Sequence, residues 1–221
     1  PPADSLSYDP IPAKLLFPFD QSEILGKKHI FSKDDWTLLA DSIANELAYA
    51  TFIEEPWRYL LTVWILGTYL ADKHFDFYPG ILLFGPPERG KTRLLHWFSH
   101  LCYRPMLTDT VNEAPLFRFT ERFRGTVLFD LYDFHNKIEK KDTQDLFLAF
   151  PERGRKVARV IKPDAPDFED TKYFQVFAPC AVASNKPLPP SHPLVSRYLS
   201  ITPPERRSVY PDLKTRKEEL A

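Results

Sequence analysis

The sequence predicts an α/β fold with a central parallel sheet, an N-terminal helical lead-in and an inserted β-hairpin. Three observations lead there. Short apolar runs alternate with helical segments from residue 80 onward, the pattern of buried strands joined by crossover helices. One such run passes directly into a glycine-containing loop and then a helix. Hydrophobic residues make up 43% of the 221, enough for a sizeable core.

The elements follow in order. Residues 1–32 are rich in proline and hold apolar clusters such as "KLLFPF" without a sustained period, which predicts an extended arm. Residues 33–78 form the lead-in. Ser32 is placed to cap a first helix, whose apolar positions Trp36, Leu39, Ala40, Ile43, Leu47 and Ala50 recur at helical spacing. A second helix starts after Pro56; its run "WRYLLTVWILGTYLA" carries Arg58 and is short for a bilayer, so it reads as a core helix. The core, residues 79–205, alternates "GILLF" (80–84), a helix from Lys91 to about Cys102, "PML" (105–107), a helix over 112–123, "TVLFD" (126–130), a helix over 142–150, "CAVAS" (180–184) and "YLSI" (198–201). Between these last helical and strand segments, "KVARVIK" and "KYFQVF" flank a Pro- and Asp-rich turn and predict a β-hairpin at about 156–178. Residues 206–221 read as the start of a C-terminal helical segment. Because the chain opens on Pro1 and stops within "PDLKTRKEELA", it is expected to be a piece of a longer parent.

Charge and cysteine content narrow the setting. Lys plus Arg (29) nearly balance Asp plus Glu (30), so attraction to nucleic acid must come from a local patch, and no membrane partner is expected. Cys102 and Cys180 form no ligand-spaced pair, which fits a reducing, cytoplasmic location rather than a disulfide scaffold.

The most informative stretch is "LLFGPPERGKT". A strand runs into Gly85, Pro86, Pro87, Glu88, Arg89, Gly90, Lys91 and Thr92, and Arg93 continues into a helix. This order lets successive backbone N–H groups and a helix N-terminus surround phosphate oxygens; the alternative is a structural turn. Lys91 would reach the terminal phosphates and the Thr92 hydroxyl would ligate Mg²⁺. Glu88 sets a negative charge in an anion-binding loop and is expected to point outward.

A second set of residues lies downstream. Asp130 closes a buried strand and stands either to hold Mg²⁺ through water or to cap the following turn. Leu131 follows it and cannot accept a proton; Asp133 is either a substitute base or a cap. Asn185 ends another buried run, where it would align water or merely shape a turn, and Arg197 precedes a strand, where a lone arginine is usually a surface ion pair. The hairpin segment carries Arg153, Arg155, Lys156, Arg159 and Lys162 against one acid, a patch able to hold nucleic-acid phosphates or simply a solvated face.

In this order GPPERGKT, VLFDLYD, VASN and PLVSRYLSI resemble the AAA+ ATPases. Over residues 57–202 they look most like helicase-type members from bacteria, phages and mobile elements, related to superfamily 3 and minichromosome-maintenance helicases. The resemblance implies ATP and Mg²⁺ as cofactors, Lys91 and Thr92 as Walker A, Asp130 as Walker B and Asn185 as sensor 1. It makes Arg197 an arginine finger that completes a neighbouring subunit's site, hence a homo-oligomeric ring or filament. It also makes the hairpin, through Arg155, Lys156, Arg159 and Lys162, an insertion that grips single-stranded or duplex DNA. The sequence departs from the family pattern at Glu88, where a small residue is usual, and at Leu131, where a glutamate is usual.

The functional expectation is therefore an ATP-binding module, leaning toward an ATPase that acts on DNA within a replication helicase-like oligomer, with a replication protein as a further partner. Two rivals stand beside it: a scaffold or regulator that binds nucleotide and scarcely hydrolyses it, and a loader acting on a protein partner.

Overall fold

The computed structural model describes residues 32–160 and 171–205. The expected arm, the C-terminal segment and Lys162 lie outside them, Ser32 being the only arm residue described. The chain divides into two compact units, Pro1–Leu38 and Leu39–Ala221. Among its described residues the first unit holds the start of helix α1 (Lys33–Ala50). The Ser32 hydroxyl accepts from the Asp35 N–H (3.2 Å), and the Asp35 carboxylate accepts from the Ser32 N–H (2.8 Å), a reciprocal cap with aspartate in place of the usual glutamate.

The second unit is an α/β structure with helices on both faces of a five-stranded parallel sheet. Its elements are α2 (Glu55–Thr68), α3 (Ala71–His74), β1 (Gly80–Phe84), α4 (Lys91–Leu101), β2 (Met106–Thr108), α5 (Glu113–Phe123), β3 (Val127–Asp130), α6 (Phe134–Ile138), α7 (Lys141–Ala149), β4 (Lys156–Val160), β5 (Thr171–Gln175), β6 (Cys180–Ser184), a 3₁₀ turn (Pro193–Ser196) and β7 (Tyr198–Ile201). The strand order is β2-β3-β6-β1-β7, with β4 and β5 paired separately as an antiparallel hairpin.

Strand alternation divides the core into two layers. Ile81, Leu83, Leu128, Ala181 and Ala183 face α4, the second half of α1, and α2 through Leu61, Trp64 and Ile65. Leu82, Val127, Phe129 and Val182 face α5, α6 and α7 on the other side, where Phe129, Phe134, Phe147 and Phe150 form an aromatic cluster with ring centroids 4.8–6.1 Å apart. The lead-in thus shares one hydrophobic layer with the sheet from Ile43 onward.

Differences from expectation have local causes. Trp36, placed on the apolar stripe of α1, is 51% exposed; burial on that helix begins at Ile43. "YLSI" is an edge strand rather than a fully buried one: Tyr198 and Ile201 are buried, whereas Leu199 and Ser200 are exposed, because among the described residues β7 pairs only with β1. The short helices α3 and α6 lack enough residues to show a period, so the pattern does not reveal them.

Gly80 is required by close packing. A Cβ there would stand 2.2 Å from the Tyr198 ring, and that ring is held by a hydrogen bond from its hydroxyl to the Phe147 carbonyl (2.9 Å). Gly80→Ala is expected to lower stability by about 1–3 kcal/mol through overpacking, read as a lower urea midpoint at unchanged slope.

Candidate functional site

All five sheet strands run parallel, so their carboxyl ends lie on one edge, where loops can form a crevice. An open cleft of about 890 Å³ lies there, lined by Pro87–Arg93, His96, Asp130–Tyr132 and Ala183–Asn185. The structure therefore brings Glu88, Arg89, Gly90, Lys91, Thr92, Arg93, Asp130 and Asn185 together at one cavity. Gly85 and Pro86 sit behind it as the carbonyl partners of Lys91. Asn185 reaches this place because β6 lies between β1 and β3, so its loop emerges between the Gly85–Thr92 loop and Asp130.

The loop is built by backbone conformation. Gly90, at φ 78° and ψ 12°, is left-handed and stands at the N-cap of α4, a position glycine occupies without steric cost. Among the described residues no side chain caps α4, and its first turn contains no acid. The other described helices of eight residues or more each carry an acid in the first turn: Asp34 and Asp35 in α1, Glu55 in α2, Glu113 in α5 and Asp142 in α7. The uncapped N–H groups and positive dipole end of α4 form an environment suited to an external anion.

Lys91 is only 7% exposed, and its ammonium donates to the carbonyls of Gly85 (2.8 Å) and Pro86 (2.7 Å). These bonds fold the loop around its own lysine and leave one of the three N–H donors for another acceptor. Burial pulls the Lys91 pKa below the usual lysine value; the Asp130 charge opposes that shift and Arg89 adds to it. A desolvated cation facing Asp130 across an open cleft is poised to gain from a polyanion.

Glu88 is exposed and has φ 65°, an uncommon left-handed conformation for a residue with a side chain. Glycine would adopt this conformation without that steric cost. Thr92 is exposed at the cleft. Among the described residues no group of three or more His, Cys, Asp or Glu could hold a metal ion by itself. Thr92 and Asp130 would thus suit a Mg²⁺ ion whose remaining ligands are water and phosphate oxygens.

Leu131 points the other way from Asp130. It is 1% exposed and packs with Val127, Phe129 and Phe134. Asp133 does not line the cleft; it is the N-cap of α6 and accepts from the N–H and the side-chain amide of Asn136. Arg197 lies at the opposite edge of the sheet. Its carbonyl accepts from the Gly80 N–H at the start of β1 (3.0 Å), and its guanidinium pairs with Glu152 (2.8 Å). At roughly 3.3 Å per residue, the length of β1 separates it from its own loop.

The hairpin cations are largely engaged. Arg159 makes an ion pair with Glu113 of α5 (2.7 Å) and lies over the Phe117 ring, Lys172 pairs with Glu121 (2.9 Å), and Arg155 pairs with Glu152 (2.7 Å). Arg153 lies over the Phe177 ring and donates to the carbonyls of Phe75 and Ala71. Arg159 and Lys172 thus fasten the hairpin to α5. Its other face carries Lys156, Ala158 and Val160 opposite Gln175, Tyr173 and Thr171.

Sequence reasoning missed several lining residues. His96 follows Thr92 by one helical turn and could have been found from periodicity; Tyr132 and Ser184 adjoin residues already singled out. Thr51, which does not itself line the cleft, carried no local signal: it is buried, its hydroxyl has no hydrogen-bond partner among the described residues, and it lies against Gly90 across a long sequence separation.

No protein-family model matches the chain, and comparison with curated proteins finds no significantly similar sequence. No described helix is long and apolar enough to cross a membrane.

The burial of Leu131 makes a sharp expectation for Leu131→Glu. An introduced carboxyl there would have a folded pKa above its unfolded value of about 4.3. At pH below the unfolded value both states are protonated and the charge penalty vanishes; it grows as pH rises through the interval between the two values. Chemical denaturation should show a loss of about 3 kcal/mol or more at pH 8 and a smaller loss at pH 4.

Proposed function

We propose that this chain is an ATP–Mg²⁺-binding module of the AAA+ type, working in a helicase-like oligomer that contacts DNA, with nucleotide binding rather than rapid turnover as its best-supported activity. The observation that carries the reading is the uncapped, acid-free start of α4 behind left-handed Gly90, with buried Lys91 and Asp130 facing the same cleft. The N–H groups and Lys91 suit the phosphates, Asn185 suits the outer phosphate and its water, and Thr92 with Asp130 suit the metal. Mg²⁺, when bound, would neutralise phosphate charge.

Leu131 and Asp133 favour the slow-turnover form of this reading. The first lies in the core and the second caps α6, so among the described residues Asp130 and exposed Glu88 are the carboxylates at the cleft. Arg197 stands away from its own loop, which is compatible with the reading that it acts on another copy's site. A DNA contact is supported on the outer hairpin face, where exposed Lys156 and Tyr173, 62% exposed, offer one cation and one stacking surface.

Titration with ATP–Mg²⁺, with phosphate release followed on the same samples in the presence and absence of single-stranded DNA, tests the reading. Binding with little release is expected; release strongly stimulated by DNA would favour the motor instead. Lys91→Ala should weaken ATP binding at least tenfold by calorimetry, the scale of one charge-assisted contact, and unchanged affinity would remove the site assignment. Lys156→Ala with Tyr173→Ala should weaken single-stranded DNA binding and reduce its salt slope by about 1. Neutralising Arg159 should act mainly on stability, measured by thermal unfolding, because its charge is held by Glu113.

A further inference from the structure

Glu152 joins two parts of the molecule that the proposed function treats separately. Its backbone is clamped on both sides. The Tyr78 N–H donates to the Pro151 carbonyl (2.8 Å), the Arg153 N–H donates to the Asp76 carbonyl (2.8 Å), and the Arg153 guanidinium donates to the carbonyls of Phe75 (2.9 Å) and Ala71 (2.8 Å). From this fixed base the Glu152 carboxylate presents Oε2 to both Arg197 (2.8 Å) and Arg155 (2.7 Å). Arg155 immediately precedes β4, and Arg197 immediately precedes β7.

One oxygen therefore holds the hairpin base and the arginine at the start of β7. The oxygen accepts from both guanidiniums at once, so each has only a single-point share of it, whereas a phosphate group offers the same planar fork a stronger bidentate partner. Arg197 keeps 22% of its side-chain surface exposed and Glu152 keeps 38%, so an incoming anion can reach the pair. Pairs this exposed contribute little to folding, and exchanging the partner costs correspondingly little. Hydrogen bonding to Arg197, with Arg155 adding to it, holds the Glu152 carboxyl below the usual range, so it is ionised at neutral pH.

We propose that Glu152 is a positioning residue that retains Arg197 within its own chain until a phosphate-bearing site on a second copy displaces it, and that Arg155 transmits the exchange to the hairpin. The inference rests on the reading of Arg197 as a residue acting between copies. Before exchange the carboxylate is shared; afterwards it pairs with Arg155 alone, and the charge balance at the foot of β4 changes.

The test uses the full chain with ATP–Mg²⁺, measuring self-association by sedimentation over a range of protein concentrations, and hydrogen exchange of the β4 and β5 amides. Glu152→Gln keeps the side chain's size and removes its charge. It is expected to lower the concentration at which ATP-dependent association is half complete by about three- to fivefold, the factor an exposed pair supports. Arg197→Ala should raise that concentration, and Glu152→Gln should have no effect in the Arg197→Ala background. A merely structural Glu152 would shift the urea midpoint and leave association unchanged. That result, or an equal shift in both backgrounds, overturns the proposal while leaving the Arg197 reading standing. If Arg197→Ala alone changes nothing, the Arg197 reading fails and the proposal falls with it. Assembly should also alter exchange in the hairpin of the parent chain and not of Glu152→Gln; an identical response in both removes the link through Arg155.

Discussion

The pairing of β1, an inner strand beside the β7 edge, organises this molecule. Paired in parallel with β6 on one side and β7 on the other, it buries Ile81, Leu82 and Leu83 on both faces and has no free edge. Its direction then assigns everything else. The Gly85–Thr92 loop must leave from its carboxyl end, where α4 begins uncapped, and Arg197 must stand at its amino end, against Gly80. The strand that creates the cleft therefore also keeps Arg197 away from it.

At the cleft, β3 ends its buried apolar run on one polar, partly exposed residue, Asp130. Asp130 shares the side of Leu128 and faces Lys91, whereas Leu131 continues the face of Val127 and Phe129 into the aromatic layer. Strand alternation makes neighbouring residues belong to different environments. The absence of a carboxylate at position 131 is consequently a packing feature as well as a chemical one, since the residue lies with Phe129 and Phe134 in the core. The loop is braced in a similar way from within: Lys91 donates to the carbonyls of Gly85 and Pro86, so its charge is held by its own loop.

Much of this was legible in the amino-acid order. "GILLF", "CAVAS" and "YLSI" coincide with β1, β6 and β7, since each is a short apolar run bounded by Gly, Pro or polar residues. Lys91, Thr92, Asp130 and Asn185 were recognisable because each closely follows or ends a buried strand. The hairpin was legible in position but not in charge. Its cations look like one patch along the chain, yet alternation turns Arg159 and Lys172 toward Glu113 and Glu121 and leaves Lys156 on the other face. Asp133 likewise became assignable to a cap only once α6, too short to show a period, was seen to start there.

The sequence by itself determined the strand segments, the glycine-bearing loop and the helix that follows, because these depend on hydrophobic pattern and on backbone freedom at one or two residues. Tertiary structure decided the rest. Only sheet order could place β6 between β1 and β3 and so bring Asn185 to the cleft that Lys91 and Asp130 line. Only packing could set Thr51 against Gly90, or gather Arg155 and Arg197 on one oxygen of Glu152. The physical reason is common to all three: contacts between residues far apart in the chain are chosen by how whole strands and helices pair, and no local spacing encodes that choice.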